Sequence, residues 1–224
     1  RKESSAASDV YKRQAQSFLR RWRASGTPRV LSIAGSDPSG GAGIQADLKS
    51  IAANGGYGMA ALTALTAQNT VGVRAVHVPP AEFLREQLDA ISDDIVIDAV
   101  KIGMLANADV IRAVSDWLDA MQPPIVVLDP VMVATSGDRL LDREAEVALR
   151  GLLERAHVVT PNLAELAALA DHPIDGWDDA LAAAAALSDR VGAAVLVKGG
   201  HLDGDDVPDA VIDAADGVLS LIHI

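Results

Sequence analysis

Leu31-Ser-Ile-Ala-Gly-Ser-Asp-Pro-Ser-Gly-Gly-Ala-Gly-Ile-Gln-Ala-Asp47 is the stretch whose reading decides the fold. It begins in an apolar run, Val30 to Ala34, of the length of a buried strand. Gly35 to Gly41 then holds three glycines, two serines, an aspartate and a proline, which is turn chemistry. From Ala42 onward, Ile44, Leu48 and Ile51 recur at helical spacing. Strand, glycine loop and helix start together make a pocket for a small polar ligand. Glycine lets a ligand approach the backbone, and a helix N-terminus offers free N–H groups.

Outward from this stretch the pattern repeats. The helix runs to about Asn54, where Gly55-Gly56 is a plausible stop. Continuous apolar runs predict strands over residues 57–67, 97–103, 125–129, 158–159, 194–198 and 209–214. Helical periods lie between them, over about 81–93, 108–121, 142–154, 163–170 and 177–191. Strands without alternation, separated by helices, imply a parallel sheet covered on both faces. The expected fold is therefore α/β, a doubly wound, mostly parallel sheet flanked by helices. It forms one domain over residues 28–219.

Composition narrows the function. Half of the 224 residues are hydrophobic and 3% aromatic, so the core is aliphatic. The net charge is −12, although seven of the 19 basic residues precede Gly26. An acidic body of this kind argues against nucleic acid and anionic membranes as partners. There is no cysteine, hence no disulfide or thiol chemistry. No apolar stretch reaches the length of a membrane span, and no secretory pattern follows the basic start. The reading is a cytoplasmic protein. Residues 1–27 read as a polar, basic leader foreign to the domain, and 220–224 as an abrupt, equally foreign end.

In doubly wound sheets, ligands sit beyond the carboxyl ends of the strands. The residues expected there are Gly35-Ser-Asp37, Gln68-Asn69, Gly103-Met104, Asp129-Pro130, Thr160-Pro-Asn162 and Lys198-Gly-Gly-His201. Gly41-Ala-Gly43-Ile-Gln-Ala46 matches the dinucleotide pattern, but its first glycine stands six residues too far from the strand. A P-loop fails because Ile44-Gln45 occupies the Lys-Ser/Thr positions. Asn162 and Glu165 read equally as a helix capping box and as a ligand pair one turn apart. Asp129 is either a strand-ending turn residue or a second acidic arm for a metal. Lys198 with Gly199-Gly200 suggests an anion nest. Gln68 and Asp47 carry acceptor and donor groups matching the edge of an aminopyrimidine. His157, His172 and His201 lack metal-ligand spacing and are read as structural.

Six stretches together resemble one family. They are Ile33–Lys49, Thr63–Thr70, Lys101–Leu105, Val127–Met132, Thr160–Glu165 and Val197–Leu202. They resemble the hydroxymethylpyrimidine/phosphomethylpyrimidine kinases of thiamine biosynthesis, within the ribokinase-like superfamily. The resemblance implies a pyrimidine held by Gly35, Ala42, Asp47, Gln68, Met104 and Val131. It places ATP at Asn162, Glu165 and Lys198, and Mg²⁺ at Asp129 and Glu165. It further implies a homodimer and two successive phosphoryl transfers from ATP, to a hydroxymethyl oxygen and then to the resulting phosphate. The family's catalytic Gly-Thr-Gly segment is expected beyond Ile224, so the chain reads as an impaired fragment. Fusion to a thiamine phosphate synthase domain is compatible with that. Two alternatives stay open, a pyridoxal or pyridoxine kinase and a non-catalytic pyrimidine-binding module.

Overall fold

The computed structural model describes residues 26–132, 143–200, 208–213 and 217–223, the last segment by its backbone alone. It begins with the predicted unit: β1 (Arg29–Ala34), the glycine loop, α1 (Gly43–Ala53) and β2 (Tyr57–Leu62). Leu31, Ser32, Ile33 and Ala34 are all buried, as a strand covered on both faces requires. A small sheet of β3 (Leu65–Asn69) and β4 (Gly72–His77) follows, then α2 (Ala81–Ser92), β5 (Ala99–Ile102) and α3 (Ala108–Met121). Next come β6 (Val126–Leu128), α4 (Arg143–Leu153), β7 (Val158–Val159), α5 (Leu163–Ala170) and α6 (Trp177–Val191). The chain closes with β8 (Ala194–Lys198), β9 (Pro208–Asp213) and β10 (Gly217–His223).

The large sheet has the order β10-β9-β8-β7-β6-β5-β1-β2. Its six strands from β8 to β2 run parallel, and β9 and β10 are antiparallel additions. The chain steps from β1 outward to β2, then returns to β5 on the other side of β1. That reversal between β1 and β5 is the topological switch point, where the crevice for a ligand opens. The aliphatic core extends over both faces, with Trp117 of α3 completely buried.

Two expectations change. The strand predicted over 57–67 breaks at Thr63-Ala64. Thr63 donates its N–H to Ala34 O at 3.1 Å and its hydroxyl to Met104 O at 2.6 Å. Ala64 O accepts from the Ser36 N–H at 2.9 Å. These bonds take the chain out of the sheet and into the hairpin of β3 and β4. Asn69 closes its turn by accepting from the N–H groups of Val71 and Gly72 at 2.9 and 3.2 Å. β4 escaped sequence reading because a bulge between Ala67 and Gln68 spoils its two-residue period. The second change is β10, a strand beyond the last one expected, paired antiparallel with β9. The leader as far as residue 25, and His201, lie outside the described residues.

Candidate active site

One group of site residues gathers at the switch point. Ser32 and Lys101 are register partners on the parallel strands β1 and β5, so their side chains leave the same face side by side. Both reach Asp47 on α1. Ser32 Oγ donates to Asp47 Oδ2 at 2.6 Å, while Lys101 Nζ stands 3.0 Å from Oδ1 and 3.1 Å from Oδ2. The Asp47 side chain is 16% exposed and that of Lys101 28%, so the pair is sheltered yet reachable. Gly35 and Met104 follow β1 and β5 and lie against each other. A Cβ on Gly35 would lie 2.6 Å from Met104 Cε, and one on Gly103 would lie 3.1 Å from Lys101 Nζ. Gly35 thus packs against Met104, and Gly103 against the lysine that pairs with Asp47. Lys101 and Ser32 were missed as site residues in the sequence. The signal was there, a lysine inside an otherwise apolar strand, but without the register it has no partner.

The glycine loop differs from the expected open cradle. Asp37 is 2% exposed and turns back into the loop, where its carboxylate accepts from Ser39 N, Ser39 Oγ, Gly41 N and Ala42 N at 2.7–3.0 Å. Ile44 N bonds Gly35 O at 3.0 Å, and Gln45 Oε1 accepts from Asp37 N at 2.8 Å. Hence these N–H groups are consumed internally. Ala42, at the N-cap of α1, is exposed and keeps only its methyl group for a ligand. The loop is a rigid wall.

The hydrogen bonds from Ser39, together with the Ala42 and Gly41 N–H groups, hold the Asp37 carboxyl below the ordinary carboxylate range. Its stabilisation is complete above the ordinary value of about 4 and is lost as pH falls through the lowered one. Asp37→Asn should therefore lower Tm at pH 7 and flatten the Tm decline between about pH 5 and pH 2. Thermal melts across that range check it; equal declines in both proteins would refute the assignment.

A second group lies at the ends of β6, β7 and β8. Lys198 Nζ contacts Asp129 Oδ1 at 2.9 Å, and Thr160 Oγ1 donates to the same oxygen at 3.1 Å. Lys198 also forms a parallel bridge with Asn162, donating its N–H to Pro161 O at 3.1 Å. Asn162 and Glu165 make the reciprocal capping box at the start of α5, each side chain accepting from the other's backbone N–H at 2.9 Å. The capping half of that dual reading is thus real. Glu165 is 3% exposed, and burial raises its carboxyl pKa, reinforced by the Asp129 charge and opposed by Lys198. The anion nest expected at Gly199-Gly200 is corrected in part. Gly199 N–H already donates to Asp209 Oδ1 at 3.0 Å, and a Cβ there would meet Pro208 O at 2.1 Å. That glycine serves close packing against β9.

Two further predicted residues lie on other segments, Gln68 on the hairpin and Val131 just beyond Asp129. Gln68 lies on β3, on the same face as Thr66, which donates its hydroxyl to Ser36 O at 2.7 Å. The hairpin thereby leans over the glycine loop with Gln68 on its inner face. Val131 follows β6 and donates its N–H to Asp129 O at 2.8 Å, which ties it to the second group. No cluster of three or more His, Asp or Glu side chains suited to a metal occurs among the described residues. Nor is any described helix long and apolar enough to cross a membrane.

A profile of the family described as phosphomethylpyrimidine kinase matches residues 37–221. The hydroxymethylpyrimidine/phosphomethylpyrimidine kinase of Rhizobium meliloti is 51% identical over 189 residues, covering 84% of this chain and 71% of that protein. The thiamine biosynthesis multifunctional protein ThiED of Corynebacterium glutamicum is 56% identical over 186 residues, covering 83% of this chain. The chain spans 24% of the length of that multifunctional relative. Among solved structures, the phosphomethylpyrimidine kinase of Clostridium difficile 630 superposes with a TM-score of 0.79 at 40% identity. That superposition covers 88% of this chain and 84% of the other.

Proposed function

The chain belongs to the phosphomethylpyrimidine kinase family, and from that premise we propose the reaction. As a cytoplasmic homodimer, it transfers the γ-phosphoryl group of ATP to hydroxymethylpyrimidine, and a second one to the resulting monophosphate. The observation that carries this reading is the placement of two chemically different groups on one sheet edge. Asp47, Lys101, Gly35 and Met104 offer a polar point beside an apolar slot, which suits a small ring. Asp129, Lys198, Thr160 and Glu165 offer cation and carboxylates, which suits phosphates. The groups begin at β1 and end at β8, four strand spacings or about 19 Å apart. A ring at one end and a nucleotide at the other fit within that length.

Phosphoryl transfer asks mainly for positioning and charge neutralisation. Lys198 would hold phosphate oxygens by its ammonium once Asp129 yields it. Asp129 and Glu165 are hard oxygen donors, yet both already engage protein partners. They fit a Mg²⁺ ion kept largely hydrated and reached through water, rather than a protein cage. Asp129 and Glu165 would hold such an ion, and when bound it would supply charge neutralisation for phosphoryl transfer. Asn162 and Glu165, locked by the capping box, fix the floor on which the nucleotide lies. Gln68, lowered with the hairpin, and Val131 complete the ring pocket and keep water from it.

ADP release in the full-length protein, with hydroxymethylpyrimidine as acceptor and pyridoxal as competitor, tests the reading. Lys198→Ala should reduce kcat about 10²-fold with the ring KM within about three-fold, because its charge acts on the transferring group. A raised ring KM at unchanged kcat would place Lys198 at the wrong end. Preference for pyridoxal would replace the substrate.

A further inference from the structure

The turn that ends α1 carries a chemistry that phosphoryl transfer does not use. Of the chain's asparagines, Asn54, Asn69, Asn107 and Asn162, only Asn54 is followed by glycine. Asn69, Asn107 and Asn162 hold their side-chain carbonyls on backbone N–H groups further along the chain. These belong to Val71 and Gly72, to Val110 and to Glu165, at 2.9–3.2 Å. The residues that follow them, Thr70, Ala108 and Leu163, each carry a Cβ that crowds an approach to that carbonyl. Asn54 differs. Its side chain turns back along the helix, and Nδ2 donates to Ser50 O at 2.8 Å. Asn54 and Gly55 are both exposed, and a Cβ at Gly55, where φ is +79°, would meet nothing within 4 Å. Gly55 N–H donates to Ala52 O at 3.1 Å, in the last turn, where helices fray first.

We propose that Asn54-Gly55 is a site of spontaneous deamidation in the folded protein, giving aspartate or isoaspartate at position 54. When the last turn opens, the Gly55 nitrogen loses its proton to hydroxide and attacks Cγ of the Asn54 amide. The new N–Cγ bond closes an imide ring, the Cγ–Nδ2 bond breaks, and ammonia leaves with a proton taken from water. Water then adds to either imide carbonyl. Addition at Cγ reopens the N–Cγ bond and leaves aspartate. Addition at the main-chain carbonyl leaves isoaspartate, whose backbone runs through Cβ and Cγ. Either product replaces the donor on Ser50 O with a carboxylate at the negative end of the helix dipole, and α1 has no basic residue in its last turn. Isoaspartate also lengthens the main chain just before two bonds that lead into β2. These run from Gly56 N–H to Ile51 O at 2.9 Å and from Tyr57 N–H to Pro28 O at 2.7 Å. Ageing therefore loosens the turn that sets β2 beside β1.

Incubation of the intact, folded protein at mildly alkaline pH, followed by digestion and mass spectrometry that separates aspartate from isoaspartate, is the test. Conversion should concentrate at residue 54, yield both acids and quicken as pH rises. Asn54→Gln, whose longer side chain disfavours ring closure, should lose it. The aged wild-type chain should melt about 1–4 °C below the fresh one, while the Asn54→Gln chain keeps its Tm on ageing. Conversion at residue 54 no greater than at Asn69, Asn107 and Asn162 would overturn the proposal. So would conversion seen only after unfolding in urea, because the native turn would then be closed to the reaction. Should Asn54→Gln fail to fold, the site-by-site comparison within the wild-type protein still decides.

Discussion

Asp47→Ala should lower kcat/KM for the pyrimidine substrate about 10³-fold while the KM for ATP stays within about two-fold. The expected size follows from what the carboxylate does on both sides. In the proposed function it accepts from an amino group of the ring, and a site built around such a bond discriminates by orders of magnitude when the bond is unmade. Toward the protein it is the common partner of Ser32 and Lys101. Without it the ammonium of Lys101, whose side chain is 28% exposed, loses its counter-charge. Asp47→Asn is the milder control. It keeps the volume and one carbonyl acceptor, so a loss of about 10- to 10²-fold is expected. Steady-state kinetics with each substrate varied in turn is the measurement. A comparable rise in the ATP KM would show that Asp47 acts on the whole loop rather than on the ring.

Gly43→Ala should be a severely damaging small change to the fold. The residue has φ of +55°, a conformation that a Cβ disfavours, and the added atom would lie 2.3 Å from Gly35 O. No flexible side chain can move aside there, since the obstacle is backbone. Relief requires the glycine loop to part from α1, which also breaks the Ile44 N to Gly35 O bond. The combined cost is about 3 kcal/mol, a Tm fall of roughly 6–12 °C for a chain of this size. Thermal unfolding checks it, and a change under about 2 °C would show that the loop adapts cheaply. Gly35→Ala is the instructive contrast. Its nearest obstacle is Met104 Cε at 2.6 Å, the movable end of a side chain, so stability should survive while ring affinity suffers.

The doubly wound plan was legible because it rests on local signals. Short apolar runs without alternation, such as Val126–Leu128 and Ala194–Lys198, read as strands of a covered parallel sheet and are strands in the fold. The helices over 108–121, 163–170 and 177–191 stand where their periods place them. The capping box was legible as well, because its four residues are contiguous. The hairpin was not. β4 is exposed throughout and bulged, so neither burial nor alternation marks it, and its place is decided by Thr63, Ala64 and Thr66 bonding the glycine loop.

The candidate site divides along the same line. Sequence alone determined which residue types stand at the strand ends, because turn chemistry and strand length are properties of neighbouring residues. It also determined that the glycine loop holds no P-loop. Only the tertiary structure decided which of those residues meet. Asp37 turned inward to satisfy its own loop, and Gly199 gave its N–H to Asp209 rather than to an anion. Lys101, 54 residues from Asp47 along the chain, became its partner through the parallel register of β1 and β5. Register is set by pairing across the sheet. No window of sequence contains it.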